Sequence, residues 1–542
     1  MPNLKLVYRA LRKISDWTIN GYYSEILVEG EENVPVDGPT IIVSNHHNEI
    51  LDVATLSITV PHGRHLCFWA KSTMFKNILT RSIMESSGAI PVQRNPNTTV
   101  ADPKSTLSSS VTRASLFQSS NLAIEAGGVP TIFPEGSSYV EPTIVQILSG
   151  FAWSAVEYVR WKKEAELVIV PVGIVYTDQA TYQSRILVKY GTPIPMSKFK
   201  DALLNNDEAE ANAVVREIAA SVEQSFFDMT VNAVDRDTRT AAQTLLDVLE
   251  GNAYNISLPR WRLRSQQLID FLSQSRNLGF KTLLIKYSAL LHHTGLKHSD
   301  IPSSPSIFAA CMPSLTSILL APLYIPVLPL HLAGCITGDL ARRACTKVGD
   351  KESHAQFRAV FGALGVGATT AGVLGGVHWG SVLRWVVKHT SVKALGRGVS
   401  LEAVAERATR TKFGRAVNYI GAGLVVLKFY GLLAPGLHAR LKHLLASFRL
   451  VVGLTLGSSL SPEQVKPFMQ LPPPDAPNAF LQRNRGKPSG KTRSSDAFWA
   501  ARDRESQRDK VKASLGGVFL IKAVVEQREE VIREVRAMGN VL

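Results

Sequence analysis

The chain has 542 residues, enough for more than one core, and 60 lysines and arginines against 45 acids leave it at +15. Such a balance suits an anionic partner, but no zinc-finger spacing or aromatic-studded basic motif supports nucleic acid, which leaves an acidic membrane surface or a phosphate-bearing substrate. Four cysteines (Cys67, Cys311, Cys335, Cys345), none in a CxxC pair, speak against a disulfide framework or a cysteine zinc site and fit a reducing compartment.

In chain order, Lys5, Arg9, Arg12 and Lys13 interrupt the N-terminus, so it does not read as a secretory signal. Leu4, Val7, Leu11, Ile14 and Trp17 recur at helical steps. They form the apolar face of an amphipathic helix, docked on its own domain or lying in a membrane interface. Residues 1–240 read as an α/β domain, a mixed sheet flanked by helices. Its predicted strands are Thr40–Val43, Ala89–Val92, Val129–Phe133, Leu167–Val175 and Ile186–Tyr190, with helices at Ala114–Ala126 and Ile147–Trp161. The stretch from about 205 to 300 is helical throughout, and its 241–300 part is assigned as a connector. Residues 301–460 change character. Ile301–Gly338 and Ala359–Leu383 contain no Asp, Glu, Lys or Arg, or nearly so, and each is long enough for a spanning helix. Pro313, Pro322, Pro326 and Pro329 predict that the first is broken. Gly376 and Gly380 give the second a spacing for close helix packing. Ala416–Leu433, interrupted by Lys428, is a third candidate. These are expected to be membrane-embedded helices, and the lysines and arginines at their flanks fit cytoplasmic loops. Residues 461–542 form a basic tail, with disorder expected from Pro472 to about Lys512 and a helix around Phe519–Met538.

Directly after Thr40–Val43 comes Ser44-Asn45-His46-His47-Asn48-Glu49-Ile50-Leu51-Asp52. A histidine can take a proton from a hydroxyl near neutral pH, best when an acid holds its other ring nitrogen. His47 and Asp52 are the candidate pair. Residues five apart sit about 140° around a helix, so His47 has to lie in the turn before the helix with Asp52 reaching back. His46, one residue out of that register, is the weaker candidate. By itself such a spacing is frequent by chance. Three further blocks follow in order: Gly88-Ala89-Ile90-Pro91-Val92-Gln93-Arg94, Phe133-Pro134-Glu135-Gly136-Ser137-Ser138 and Val170-Pro171-Val172-Gly173-Ile174.

Together these four blocks resemble the glycerolipid acyltransferase family of glycerol-3-phosphate and lysophosphatidate acyltransferases. Phe68-Trp69-Ala70-Lys71 with Met74-Phe75, Asn48, and the stretch Ser184–Ile194 are similar to the fungal glycerol-3-phosphate/dihydroxyacetone-phosphate branch. The resemblance covers roughly residues 1 to 240. It implies that His47 is the general base, that Asp52 orients it, and that the acceptor hydroxyl attacks the thioester of acyl-CoA without a covalent intermediate. It implies further that Lys71 and Arg94 hold the acceptor phosphate, that Glu135, Gly136 and Ser137 shape the acceptor site, and that the fourth block serves acyl-CoA binding. The expected acceptor is glycerol 3-phosphate, possible partners in the same class being dihydroxyacetone phosphate and a lysolipid such as lysophosphatidate. The implied partners are acyl-CoA as co-substrate, a phosphorylated glycerol-type acceptor and the lipid bilayer, with no cofactor, no metal and no nucleic acid. The implied place is the endoplasmic reticulum membrane, with the catalytic domain facing the cytosol. Where many members have Thr-Arg, this chain has Ser137-Ser138, so one phosphate-binding cation is missing and another residue has to compensate.

Other features carry less. Gly486–Thr492 approaches a phosphate-binding loop, but Arg485 stands where its first glycine belongs. His292-His293 lacks acidic or cysteine neighbours at ligand spacing. Asn97 and Asn255 fit the glycosylation pattern, which a cytosolic domain would leave unmodified. No Gly-x-Ser-x-Gly elbow points to a serine hydrolase. The reading from a different class is an inactive, membrane-anchored lipid-binding scaffold, against which the intact His47, Asp52, Arg94 and Glu135 set argues.

Overall fold

The computed structural model describes residues 6–92, 110–205, 207–251, 255–304, 306–346, 353–376, 394–395, 399–400, 412–457, 460–472 and 517–539. Arg94, Asn97, the 486–492 segment and nearly all of the expected disordered stretch lie outside them, as does most of the 376–380 packing motif. By its contacts the chain divides into two units. One comprises Met1–Ala310, Val348–Gln356 and Phe448–Leu542; the other comprises Cys311–Lys347 and Phe357–Ser447.

The first unit is built on a mixed sheet. Its strands are β1 (Glu25–Glu29), β2 (Thr40–Ser44), β3 (His65–Lys71), β4 (Ile90–Val92), β5 (Gly128–Ile132), β6 (Val168–Tyr176), β7 (Arg185–Tyr190) and the short β8 (Ile194–Pro195). They run in the order β1-β7-β6-β2-β5-β3-β4, with β8 paired to β6. From β4 to β6 every pairing is parallel; β7 and β8 pair antiparallel with β6, and β1 is parallel to β7. Strands inside a parallel sheet are covered on both faces, and β2 accordingly reads as a continuous run, TIIVS, with every residue buried. The parallel strands also end at one common edge. That edge collects the residues following β2, β3 and β5 and the last residue of β6, the place where open α/β sheets hold ligands.

The helices of this unit are α1 (Leu6–Tyr22), α2 (Ile50–Thr59), α3 (Ile78–Ser87), α4 (Ser110–Glu125), α5 (Gly150–Trp161), α6 (Lys200–Leu204), α7 (Glu208–Met229), α8 (Arg236–Glu250), α9 (Leu258–Leu272) and α10 (Leu278–Thr294). On one face of the sheet, Ile41, Val43 and Ile169 pack against Phe151, Ala155 and Val159 of α5 and Val215, Ile218, Val222 and Phe226 of α7. Ile42 is as buried as its neighbours but lies outside this cluster, as the alternation of strand side chains requires. Each fully buried aliphatic or phenylalanine side chain contributes about 1.5–3 kcal/mol, so this cluster is the principal anchor of the sheet. Gly173, in the fourth block, is a packing glycine. A Cβ there would come within 2.8 Å of Met229 Cβ at the end of α7.

α1 packs on α2, burying Tyr8, Ile19 and Tyr22, and leaves Leu6, Leu11, Ile14 and Trp17 exposed. The docked and the outward-facing readings of this helix therefore apply to different faces of it. The helices α7 to α10 belong to the same unit as the sheet. So does the C-terminal helix Ile521–Met538, which packs on α10 and buries Ile521, Val524 and Val531.

In the chain after α10, the first apolar stretch is broken at Pro322, Pro326 and Pro329, whereas Pro313 lies inside a continuous helix. Helix Ile307–Leu319 is followed by Ala321–Tyr324, a 3-10 turn at Ile325–Val327 and Leu328–Cys345, each of the last three with proline in its first turn. The following helices are His354–Gly376 and Lys412–Leu456. Among the described residues, three segments are long and apolar enough to cross a membrane: Ala321–Cys345, His354–Gly375 and Ala416–Leu456. Within the second unit, Gly334 and Gly338 let the first of these approach the second so closely that Cβ atoms would meet Val366 and the Arg358 carbonyl at 2.8 Å.

Candidate active site

The turn between β2 and α2 is fixed from both sides. Asn45 extends β2 by one residue's worth of pairing through its side chain: its Nδ2 donates to the Ile174 carbonyl (2.9 Å) and its Oδ1 accepts from the Ile174 amide (2.6 Å). One residue on, the His46 amide donates to Glu135 Oε1 at 2.6 Å. Glu49, at φ 43° and ψ −119°, closes the turn in a sparsely populated region that costs a non-glycine residue on the order of 1–3 kcal/mol. Its side chain is bonded to Gln356.

Asp52, in the first turn of α2, is fully buried and accepts four hydrogen bonds. Oδ2 takes His46 Nδ1 (2.8 Å) and the amides of His47 (2.8 Å) and Asn48 (2.7 Å), while Oδ1 takes the Tyr176 hydroxyl (2.6 Å). Burial pushes this carboxyl up, but the His46 ring, the Tyr176 hydroxyl and the Asn48 amide together hold it below the usual carboxylate range. It is therefore ionised at neutral pH.

This geometry corrects the expected pairing. The ring on Asp52 belongs to His46, not to His47. Oδ2 caps the amides at the start of the α2 turn, so it meets the backbone of His47 and the side chain of the residue before it. His46 stacks on Phe133 (centroids 4.0 Å apart, 14° between planes), and Phe68 stacks on Phe133 behind it. Its ring is 17% exposed, and Nε2 has no partner among the described residues. His46 thus combines an anchored Nδ1 with an available Nε2.

His47 faces the other way. Its Nδ1 lies 3.2 Å from the Tyr139 carbonyl, and its ring meets the Tyr139 ring edge-on. The Nδ1 proton is assigned from that carbonyl. Burial lowers its pKa from 6.5 to about 4, with Asp52 opposing and the charge of Arg239 adding to the shift. His47 is neutral at pH 7.

Glu135 is fully buried, its Oε2 has no partner, and Gln146 Nε2 donates to its main-chain carbonyl (2.7 Å). Desolvation raises its pKa well above the usual carboxylate range, against the His46 amide bond, which favours the charged form. Gly136 sits at φ 75°, the left-handed region that the turn after β5 requires. Ser137 is half-buried in that turn. Lys71 ends β3, exposed, in register with Val92 of β4, and makes no hydrogen bond to the histidines or acids. The structure thus brings together His46, His47, Asp52 and Glu135 and leaves Lys71 apart. Among the described residues no group of three or more His, Cys, Asp and Glu comes together as metal ligands. Asn45, Tyr139, Tyr176 and Arg239 were not singled out by the sequence; only Tyr176, a hydroxyl ending an apolar strand at the common edge, gave a legible signal.

Among known proteins, the acyltransferase family model matches residues 25–175, which run from β1 through all the residues just described to the end of β6. Residues 25–175 form an acyltransferase domain. The acyltransferase domain is similar to glycerol-3-phosphate O-acyltransferase 2 of Saccharomyces cerevisiae, 26% identical over 34% of this chain and 25% of that protein. It is also similar to glycerol-3-phosphate O-acyltransferase 1 of the same yeast, 29% identical over 21% of this chain and 15% of that protein. The chain thus matches a quarter or less of these relatives' length. Among solved structures, the 1-acyl-sn-glycerophosphate acyltransferase PlsC from Thermotoga maritima is 20% identical, covering 41% of this chain and 78% of its own, with a TM-score of 0.27.

The first unit should respond to acid through two histidines, His47 and His298. His298, bonded to the Tyr287 hydroxyl (2.9 Å), is also held down to about 4 by burial. Unfolded, both histidines bind protons near 6.5; folded, they refuse them until about 4. Their contribution is therefore complete above pH 6.5 and is lost as pH falls through the window down to 4. Asp52 acts in the same direction at lower pH and Glu135 in the opposite one, so a variant comparison is the readout. The thermal midpoint of His47→Gln in detergent should fall less between pH 7 and pH 4.5 than that of the wild type. Equal falls would exclude His47 as a source of the acid sensitivity.

Proposed function

We propose that the chain transfers a fatty acyl chain from acyl-CoA to a hydroxyl of glycerol 3-phosphate, with dihydroxyacetone phosphate as a further acceptor. The observation carrying this reading is the His46–Asp52 pair: a ring with one nitrogen anchored on an ionised carboxylate and the other available. In the proposed step, His46 Nε2 takes the acceptor's hydroxyl proton as the oxygen attacks the thioester carbonyl. The tetrahedral intermediate collapses by breaking the C–S bond, and the imidazolium returns the proton to the CoA thiolate. Asp52 stays ionised throughout and stabilises the imidazolium. Gly136 and Ser137 line the acceptor side, and Lys71 and Arg94 supply positive charge for the acceptor phosphate, roles that rest on the family resemblance.

Glycerol 3-phosphate is favoured over a lysolipid by the yeast relatives' names and by the Ser184–Ile194 stretch, most of which forms β7 and β8. The three apolar helices support a membrane location, which we assign to the endoplasmic reticulum with the acyltransferase domain facing the cytosol. The test is an acceptor panel assayed in membranes with one labelled acyl-CoA. Glycerol 3-phosphate should give wild-type incorporation well above that of His46→Ala membranes. Incorporation into lysophosphatidate but not glycerol 3-phosphate would replace the acceptor, and equal background with every acceptor would remove the enzymatic reading.

A further inference from the structure

The Ser137-Ser138 pair leaves the acyltransferase domain without one of the cations expected beside its acceptor site. The charge of a guanidinium acts on His47 from a part of the chain that the family model does not reach. The loop after β5 carries Tyr139, whose carbonyl and ring hold His47. The same loop is fastened on its far side to the junction of α7 and α8. The Ala233 amide donates to the Pro142 carbonyl (3.0 Å), and Asn232 Oδ1 accepts from the Ile144 amide (3.1 Å) and the Thr143 hydroxyl (3.3 Å). Helix α8 then starts at once, capped by Asp235 through the Thr238 amide (2.6 Å). Its next residue, Arg239, is half-buried, and its charge acts on His47 on one side and on Asp178 on the other. Its guanidinium makes no hydrogen bond or ion pair with any described residue. Asp178 is engaged in its own turn, accepting from the amides of Ala180 (3.0 Å) and Thr181 (3.2 Å) and from the Thr181 hydroxyl (2.7 Å). The adjacent Gln179 takes the Asn48 side-chain amide on its carbonyl (3.1 Å), yet its own Nε2 is buried without a partner. A buried donor left unmade costs about 1–3 kcal/mol, and the Gln179 amide and the Arg239 guanidinium, whose charge acts on the neighbouring Asp178, are both donors suited to an anion.

We propose that Arg239, supported by Gln179, binds the phosphate of the acceptor on the α8 side of the histidine pair. This rests on the acyl-transfer reading above. The phosphates of acyl-CoA are separated from the reacting thioester by the long pantetheine arm, whereas those of a glycerol phosphate lie three carbons or fewer from the attacking hydroxyl. A cation that acts on the residue next to the base therefore meets the acceptor's phosphate. A planar fork also matches phosphate oxygens with two parallel bonds, which a lysine does not.

The test uses the full chain in membranes, with glycerol 3-phosphate and acyl-CoA titrated separately. Arg239→Ala should raise the apparent KM for glycerol 3-phosphate about ten- to a hundredfold, the effect of a lost charged hydrogen bond, with the KM for acyl-CoA little changed. Arg239→Lys should recover part of the loss. Inorganic phosphate should compete with the acceptor in the wild type and more weakly in Arg239→Ala. If Arg239→Ala does not accumulate in membranes, Arg239→Lys decides, and an unchanged acceptor KM in it overturns the proposal. Equal rises in both KM values, or a rise for acyl-CoA alone, also overturn it. His46-dependent activity with an unchanged acceptor KM would defeat this inference only, whereas activity that does not depend on His46 would defeat the acyl-transfer reading.

Discussion

Replacing His46 with alanine should reduce acyl transfer by about a hundred- to ten-thousand-fold, the range a positioned general base supplies. Replacing His47 with alanine should cost far less, because its Nδ1 is turned to the Tyr139 carbonyl and its ring does not touch Asp52. The two histidines are adjacent in sequence, so the comparison is demanding. Both variants go into the same membranes, with protein amounts equalised, and initial rates are measured with labelled acyl-CoA. A larger loss for His47→Ala than for His46→Ala would overturn the assignment of the base and restore the pairing expected from sequence. The backbone amides of both residues survive these substitutions, so the bonds to Glu135 and Asp52 that shape the turn remain.

Asp52→Asn should cost activity on a similar scale, about a hundred- to ten-thousand-fold, because a neutral amide neither stabilises the imidazolium nor fixes the ring's tautomer. It should also cost stability. Asp52 accepts from four donors, and an amide nitrogen in place of either oxygen confronts at least one of them with another donor. A buried donor deprived of its acceptor costs about 1–3 kcal/mol. The thermal midpoint of the detergent-solubilised variant separates the two effects. Full activity in a well-folded Asp52→Asn protein would mean that the carboxylate is structural only.

Much of the acyltransferase domain was legible before its structure. The apolar runs at 40–43, 129–133 and 167–175 are strands because a parallel sheet buries both faces and leaves no alternation to obscure them. β1 and β3 were missed. EILVE opens and closes on acids at the sheet's edge, and HLCFWAK mixes aromatics with polar ends, so neither reads as an uninterrupted buried run. Pro322, Pro326 and Pro329 placed the breaks after Leu319 correctly, since proline is accommodated best in the first turn of a helix, although Pro313 and Pro435 lie inside theirs. The site was legible to within one residue. Spacing alone identified Asp52, but choosing its ring required the backbone of the turn, where Asp52 spends one oxygen on two amides and Glu49 takes a positive φ. Arg239 had no signal of its own: one arginine among many on a helix far along the chain, it acquires meaning only where the β5 loop is bonded to the α7–α8 junction.

Glu135 bears on how an anion enters at all. Two acids stand beside His46, which suggests a doubly negative cleft, hostile to a phosphate. Burial drives Glu135 toward its neutral form, whereas Asp52 is held ionised and is muffled by the four donors around it. An anion approaching the ring therefore meets less repulsion than a count of carboxyls would forecast.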